Sequence, residues 1–213
     1  MKLIAINGSP RKKGNTATLL GKVLEGAASC GAETELIHLY EHQYKGCISC
    51  FGCKRKGLDE RKCLIKDELA PIYEKIREAD ALVLGSPIYF MNINSGMAAF
   101  LERLLYPNMI YSREIPTVFP KVMPTGLIYT MNMKKEQMEQ FGLQNNLQSY
   151  QNYIKTVLKK EPEVLYSCNT VQFSGYDKYE SSMFSEEEKL NYRKEQFPVD
   201  CNYAFEMGKK LIQ

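Results

Sequence analysis

"KLIAINGSPRKKGNTATLLGKVLEGAA", residues 2–28, holds three elements in a row. Residues 2–6 are short and nearly all apolar, as a buried strand is. Leu20, Val23, Leu24, Ala27 and Ala28 then recur at helical spacing. Between them lies the polar loop "NGSPRKKGNT", residues 7–16. A strand, a loop and a helix in that order leave unpaired backbone N–H groups and the positive end of the helix dipole at the loop, which favours an anion there. Ser9, Asn15 and Thr16 add side-chain hydrogen bonds, and Arg11 adds a charge-assisted one. The loop has no Gly-Lys-Ser/Thr, and Gly8 and Gly14 are separated by five residues, so both common nucleotide fingerprints are absent. Read alone, Ser9, Asn15 and Thr16 serve equally well as capping groups of the helix.

The pattern continues as strands alternating with helices. Further strands are expected at 33–40, 81–87, 125–130 and 163–171. A helix is expected over 66–80, with Asp67 as its cap, Leu69, Ile72 and Ile76 on one face and Pro71 in its first turns. Another covers 95–105 with Met97, Phe100, Leu101, Leu104 and Leu105 inward, and a long one covers 134–160. "SEEE" at 185–188 reads as a capping box that opens a C-terminal helical segment interrupted by Pro198. This order argues for an open α/β sheet with helices on both faces, whose ligands bind beyond the carboxyl ends of the strands. The loops at 8–16, 86–94 and 130–133 leave the sheet on that side. In "GSPIYF" (85–90), the backbone N–H groups after Pro87 and the rings of Tyr89 or Phe90 suit a flat ring system with a phosphorylated tail. Either ring suits a core or subunit contact as well.

Composition narrows the function. The 213 residues are 44% hydrophobic and 25% charged with a net charge of +3, which fits one soluble domain. No stretch has the length of a membrane span, and Lys and Arg are spread along the chain, so neither membrane nor nucleic acid is expected as a partner. Seven cysteines with no export signal point to a reducing cytoplasm. His38 and His42 stand with no nucleophile, and Glu186, Glu187 and Glu188 complement a helix dipole. A site without acid–base machinery is one in which a cofactor carries the chemistry.

Two residues separate Cys47 from Cys50 and Cys50 from Cys53, and nine separate Cys53 from Cys63, a basic insert with Lys54, Arg55, Lys56, Arg61 and Lys62. Four such thiolates suit a [4Fe–4S] cluster or zinc, and a row of free thiols is the third reading. Cys30, Cys168 and Cys201 are isolated and suit buried packing.

"INGSPRKKGNT", "GSPIYFMNINSGMAAFLERL" and the cysteine segment between them resemble the flavodoxin-like NAD(P)H-dependent FMN reductases and, within them, the iron–sulfur flavoproteins. The resemblance implies one flavodoxin-like domain over 1–213, with a parallel five-stranded sheet in order 2-1-3-4-5. It implies a cysteine-rich loop at 41–65 and a C-terminal helical extension at 185–213. It implies FMN, with its phosphate on Ser9, Arg11, Asn15 and Thr16. Pro87, Ile88, Tyr89 and Phe90 line the isoalloxazine, and Thr130 and Met131 supply further contacts. By the same resemblance Cys47, Cys50, Cys53 and Cys63 hold a [4Fe–4S] cluster, although the last gap is longer than those proteins usually show. The activity implied is electron transfer from NAD(P)H to a quinone, nitro or azo compound, flavin or similar acceptor. Two other readings are an electron carrier that uses FMN with the cluster, and a non-redox phosphate-binding module. The family's members imply a homodimer or homotetramer, with Phe173, Tyr176 and Tyr179 covering a neighbour's flavin or packing on their own chain.

Overall fold

The structure, a computed structural model, describes residues 1–57 and 61–213. Residues 58–60 of the expected cysteine-rich loop lie outside the described residues. The strands are β1 (Lys2–Asn7), β2 (Glu33–His38), β3 (Ala81–Tyr89), β4 (Asn92–Ile93), β5 (Thr125–Thr130) and β6 (Glu163–Ser167). Five of them run parallel in the order β2-β1-β3-β5-β6, which is the expected 2-1-3-4-5 arrangement. The structure adds a sixth: β4 folds back antiparallel on the end of β3, pairing Ile88 with Ile93 and Tyr89 with Asn92.

The helices are α1 (Asn15–Ser29), α2 (Ala70–Glu78), α3 (Ser95–Leu105), α4 (Lys135–Gln140), α5 (Leu143–Leu158), α6 (Glu186–Glu195) and α7 (Phe197–Ile212). Because a parallel sheet is covered on both faces, its central strands are apolar almost throughout. On one face Ile4, Ile6, Leu82 and Leu84 meet α2, α3 and α5 through Ile76, Phe100 and Leu147. On the other, Leu3, Ala5 and Val83 meet α1 and α7 through Leu20, Val23, Met207 and Leu211. No helix among the described residues is long and apolar enough to cross a membrane.

Several boundaries differ from expectation for local reasons. The helix read over 66–80 begins only at Ala70, with Pro71 in its first turn and no side-chain cap. Asp67 stands three residues before that start, where its Oδ1 accepts from the Leu69 N–H at 3.2 Å and its two carboxylate oxygens pair with Arg103 at 2.5 and 2.8 Å. The long helix over 134–160 divides at Gly142, whose φ of +66° ends α4 and starts α5. The last strand stops at Ser167, and Asn169 turns the chain in the left-handed region at φ +52°. Ser185 does cap α6, accepting from the Glu188 N–H at 3.2 Å. Pro198 sits in the first turn of α7, where a missing N–H is harmless, and the helical segment breaks at Gln196.

Helices α1 and α7 approach until their backbones nearly touch. A methyl group on Gly26 would stand 1.9 Å from the Phe205 carbonyl oxygen, and one on Gly208 would stand 2.0 Å from that of Val23. Gly26 therefore takes the inward position that periodicity gives to Ala28, which is exposed. Gly21, on the same helix, has open space around it. Gly26→Ala or Gly208→Ala should lower unfolding stability by about 1–3 kcal/mol, as overpacking does. Gly21→Ala should raise it by about 0.5–1 kcal/mol, through helix propensity alone. Urea melts of the three variants check the contrast, and equal effects at all three glycines would contradict the close approach.

Candidate functional site

A cleft of about 720 Å³ opens beyond the carboxyl ends of β1, β3 and β5, at the point where the strand order reverses. Of the ten residues read as cofactor contacts, the structure brings Ser9, Arg11, Asn15, Thr16, Pro87, Ile88, Tyr89, Thr130 and Met131 to its walls. Phe90 is the exception, and it stands fully in solvent. Phe90 and Met91, at φ +49° and +61°, form the two-residue turn between β3 and β4. Two successive positive φ values make a type I′ turn, a geometry that ordinarily takes Asn-Gly.

Buried amides fix the rims of the cleft. Asn7 is fully buried; its Oδ1 accepts from the Ser9 N–H at 2.9 Å while its Nδ2 meets His38 Nδ1 at 2.8 Å. Asn94 donates from Nδ2 to the Gly8 carbonyl at 2.5 Å and accepts at Oδ1 from the Met97 N–H, which caps α3. The Asn94 N–H also donates to Ser86 Oγ at 3.2 Å, so one residue ties the ends of β1 and β3 together. Thr16 and Thr130 share a hydroxyl hydrogen bond of 2.8 Å, which ties α1 to the end of β5.

No side chain caps α1; its N-cap is Gly14. Ser9 Oγ accepts from the Arg11 N–H, and the side chains of Asn15 and Thr16 are likewise turned to other partners, so the capping reading of these residues does not hold. Arg11 Nη1 donates to the Gln172 carbonyl at 2.5 Å and Asn15 Nδ2 to that of Val171 at 2.9 Å. These bonds hold the segment after β6 as a fourth wall of the cleft, formed by Thr170–Ser174 with Phe173. Phe173 stacks on Tyr179 at 4.3 Å and meets Tyr176 edge-on, so this aromatic group packs within its own chain. Sequence reasoning did not assign Lys13, Asn132, Arg193 or the 170–174 wall to the site. Arg193 reaches it from α6 and donates to Asn15 Oδ1 at 3.2 Å, a pairing across 178 residues that no local pattern signals.

Cys47, Cys50, Cys53 and Cys63 line a second, small pocket together with Arg103 and the apolar side chains of Ile48, Phe51, Leu64 and Ile65. Cys47 and Cys50 are exposed and Cys53 is buried, and burial pushes its thiol pKa up. Ser49 and Phe51 both hold φ +53°, a strained conformation for residues with side chains. Among the described residues no three His, Cys, Asp or Glu side chains are gathered around one metal-sized centre. A zinc ion requires that, with each sulfur at about 2.3 Å, whereas a cubane cluster binds its four thiolates at separate iron corners. Donor set and shared pocket therefore fit a cluster better than zinc. Part of the basic insert is engaged: Lys54 donates to the Tyr106 and Met109 carbonyls and lies 4.0 Å over the Tyr106 ring.

Of the other residues singled out in the sequence, His42 pairs with Glu68 and His38 with Asn7, both in structural roles. Cys168 is buried, Cys201 is partly buried and Cys30 is exposed, so only the first packs as expected. Lys189 of α6 is buried with its Nζ donating to the Asn132 carbonyl beneath the cleft. Burial, helped by nearby Lys134, lowers its pKa to about 8. Between that value and the ordinary 10.5 the unfolded chain binds more protons than the folded one, so stability rises with pH there. Wild type should therefore gain on Lys189→Met as pH rises from 8 to 10.5, by up to about 3 kcal/mol. Chemical melts across that range read the difference, and a flat one would show an ordinary lysine.

Comparison with known proteins places this architecture. The model of the NADPH-dependent FMN reductase family matches residues 1–119. An iron-sulfur flavoprotein of Methanocaldococcus jannaschii is 41% identical over 103 residues, 48% of this chain and 51% of that protein. One from Archaeoglobus fulgidus is 38% identical over 127 residues, 60% of each chain. The chain thus spans about half to three-fifths of the length of these relatives. Among solved structures, the NAD(P)H:quinone oxidoreductase of Methanothermobacter marburgensis superposes with a TM-score of 0.70 at 16% identity, covering 100% of this chain and 98% of its own, which shows a shared flavodoxin-like fold. The matched residues are more than half of the sequence and include the loops after β1 and β3 that form the cleft, so the chain belongs to the NADPH-dependent FMN reductase family.

Proposed function

We propose that this chain is an FMN-dependent oxidoreductase that takes electrons from NAD(P)H and passes them to a quinone, nitro or azo compound, flavin or similar acceptor. The observation that carries this reading is the uncapped start of α1, opening into a cleft of ligand size at the switch point of the sheet. The family match supports the choice of FMN.

When bound, FMN supplies hydride acceptance at its ring; the protein supplies place and field. The first N–H groups of α1, with Ser9 and Thr16 beside them, would receive the phosphate, and Arg11 and Arg193 bring positive charge. Pro87, Ile88 and Tyr89 would line the ring along one rim, and Thr130 and Met131 along the other. Buried Met131 and half-buried Ile88 exclude water from that part of the cleft. We further read residues 1–213 as one flavin-binding domain acting in the cytoplasm as a homodimer or homotetramer.

A second reading adds a [4Fe–4S] cluster on Cys47, Cys50, Cys53 and Cys63. It is favoured by the pocket these thiols share and by relatives named iron-sulfur flavoproteins. The cluster would supply a one-electron relay between flavin and an external redox protein. Iron and flavin assays on anaerobically purified protein test it, with about four irons per chain expected.

The phosphate contact has its own test. Asn15→Asp places a carboxylate in the first turn of α1, which favours the helix but repels a phosphate. The variant gives up the bond from Asn15 Nδ2 to the Val171 carbonyl, which touches both flavins alike, so the readout is the difference: FMN should weaken at least about tenfold more than riboflavin, which lacks the phosphate. Equal loss for both flavins in titrations would remove the phosphate from the start of α1.

A further inference from the structure

Arg103 lies on α3 with its side chain wholly buried. Such a cation is tolerated only when its hydrogen-bonding groups are satisfied. Here all five donors are used, and every partner belongs to the segment that carries the cysteines or to its flanks. Nη1 donates to Asp67 Oδ2 at 2.5 Å and to the Lys45 carbonyl at 2.9 Å. Nη2 donates to Asp67 Oδ1 at 2.8 Å and to the Ile65 carbonyl at 3.4 Å. Nε donates to the Cys63 sulfur at 3.3 Å. The pair is a two-pronged one, and it holds the Asp67 carboxyl below the usual carboxylate range. Lys45 precedes Cys47 by two residues and Asp67 follows Cys63 by four, so one guanidinium grips the segment on both sides. The neighbouring Glu102 holds it too, its Oε2 accepting from the Cys47 N–H at 2.8 Å.

We infer that Arg103 is the positioning residue of the cysteine pocket: it brings Cys63 to the three closely spaced thiols and, through Nε–H, donates to the sulfur by which Cys63 ligates the cluster. The inference rests on the iron–sulfur reading above and deepens it. Hydrogen bonds to ligating sulfur stabilise the more negative, reduced state of a cluster and raise its potential. The Nε–H of Arg103 is the one side-chain donor that the structure aims at any of the four sulfurs among the described residues. Cys63 is also the ligand that the sequence leaves distant from the other three, so its placement depends most on tertiary contacts.

Arg103→Lys keeps the charge and can still reach Asp67, but it has no donor at the Nε position. The variant should lose iron to a competing chelator about 10–100-fold more readily than wild type. Its cluster potential, followed by EPR in a redox titration, should move to more negative values. FMN affinity should stay as in wild type, because Arg103 lies outside the cleft. Unchanged potential and iron retention in the variant would overturn the inference while leaving the iron–sulfur reading intact. A wild-type protein without iron would overturn both. A measurement on wild type alone guards against a variant that does not fold: with [15N]arginine incorporated, pulsed EPR of the reduced cluster should show a 15N coupling. Its absence would also overturn the inference.

Discussion

The bond from the Asn94 side-chain amide to the Gly8 carbonyl, 2.5 Å long and buried, is the point on which the cleft depends. An apolar sheet cannot by itself fix how the loops at its edge stand to one another, since dispersion and the hydrophobic effect have no direction. Hydrogen bonds do. Asn94 joins the end of β1, the end of β3 and the start of α3 in one residue, and Ser86 shares its contacts. Gly8 and Gly85 make this possible: their backbones pair at 2.8 Å, and a methyl group on Gly85 would press Leu20 and Thr16 at 2.8 Å. The Thr16–Thr130 bond extends the frame to β5. The cleft is thus set by short polar contacts placed on a rigid apolar platform, the arrangement that a preorganised binding site requires.

Much of this was legible in the sequence. The strand–loop–helix order of residues 2–28 and the apolar runs at 81–87 and 125–130 carry local periodicity, and they predict an open α/β sheet and both main rims of the cleft, while the strand order follows only from the family resemblance. The features that the sequence hides are those made by distant partners. The wall at 170–174 has no periodic signal and is held by Arg11 and Asn15, which line the cleft and bond this distant segment as well. Asp67 reads as a helix cap because the residues after it are helical, and its Oδ1 does accept from the Leu69 N–H, but α2 starts only at Ala70 and the carboxylate is also paired with a buried arginine 36 residues away, which no local pattern signals. Phe90 reads as a ring contact because it follows Tyr89, but a turn with two positive φ values carries it out of the cleft. In each case a tertiary contact or a turn geometry supplements or overrides a local pattern.

The two pockets differ in how they are built. The cleft takes its walls from strand ends, so its shape follows from the sheet. The cysteine pocket lies in a segment with little regular structure, and its geometry is borrowed from α3, through Glu102 and Arg103. Left-handed Ser49 and Phe51 show that this segment is held in a conformation that it would not choose alone. The same helix is capped by Asn94 at its other end, and so α3 is the physical link between the two.

The close approach of Gly26 to Phe205 and of Gly208 to Val23 joins helices far apart in the sequence, and this bears on how the chain is made. Helix α1 appears early in synthesis, but the side that carries Gly26 and Val23 has no cover until residues 197–212 follow. Contacts of such long separation require the closure of a large loop before they return any free energy. The early part of the chain therefore waits on the ribosome with an apolar helix face open, a state that invites association with other apolar surfaces. Close glycine packing makes the finished pair snug, and it also makes the last helix the step that completes the first half of the fold.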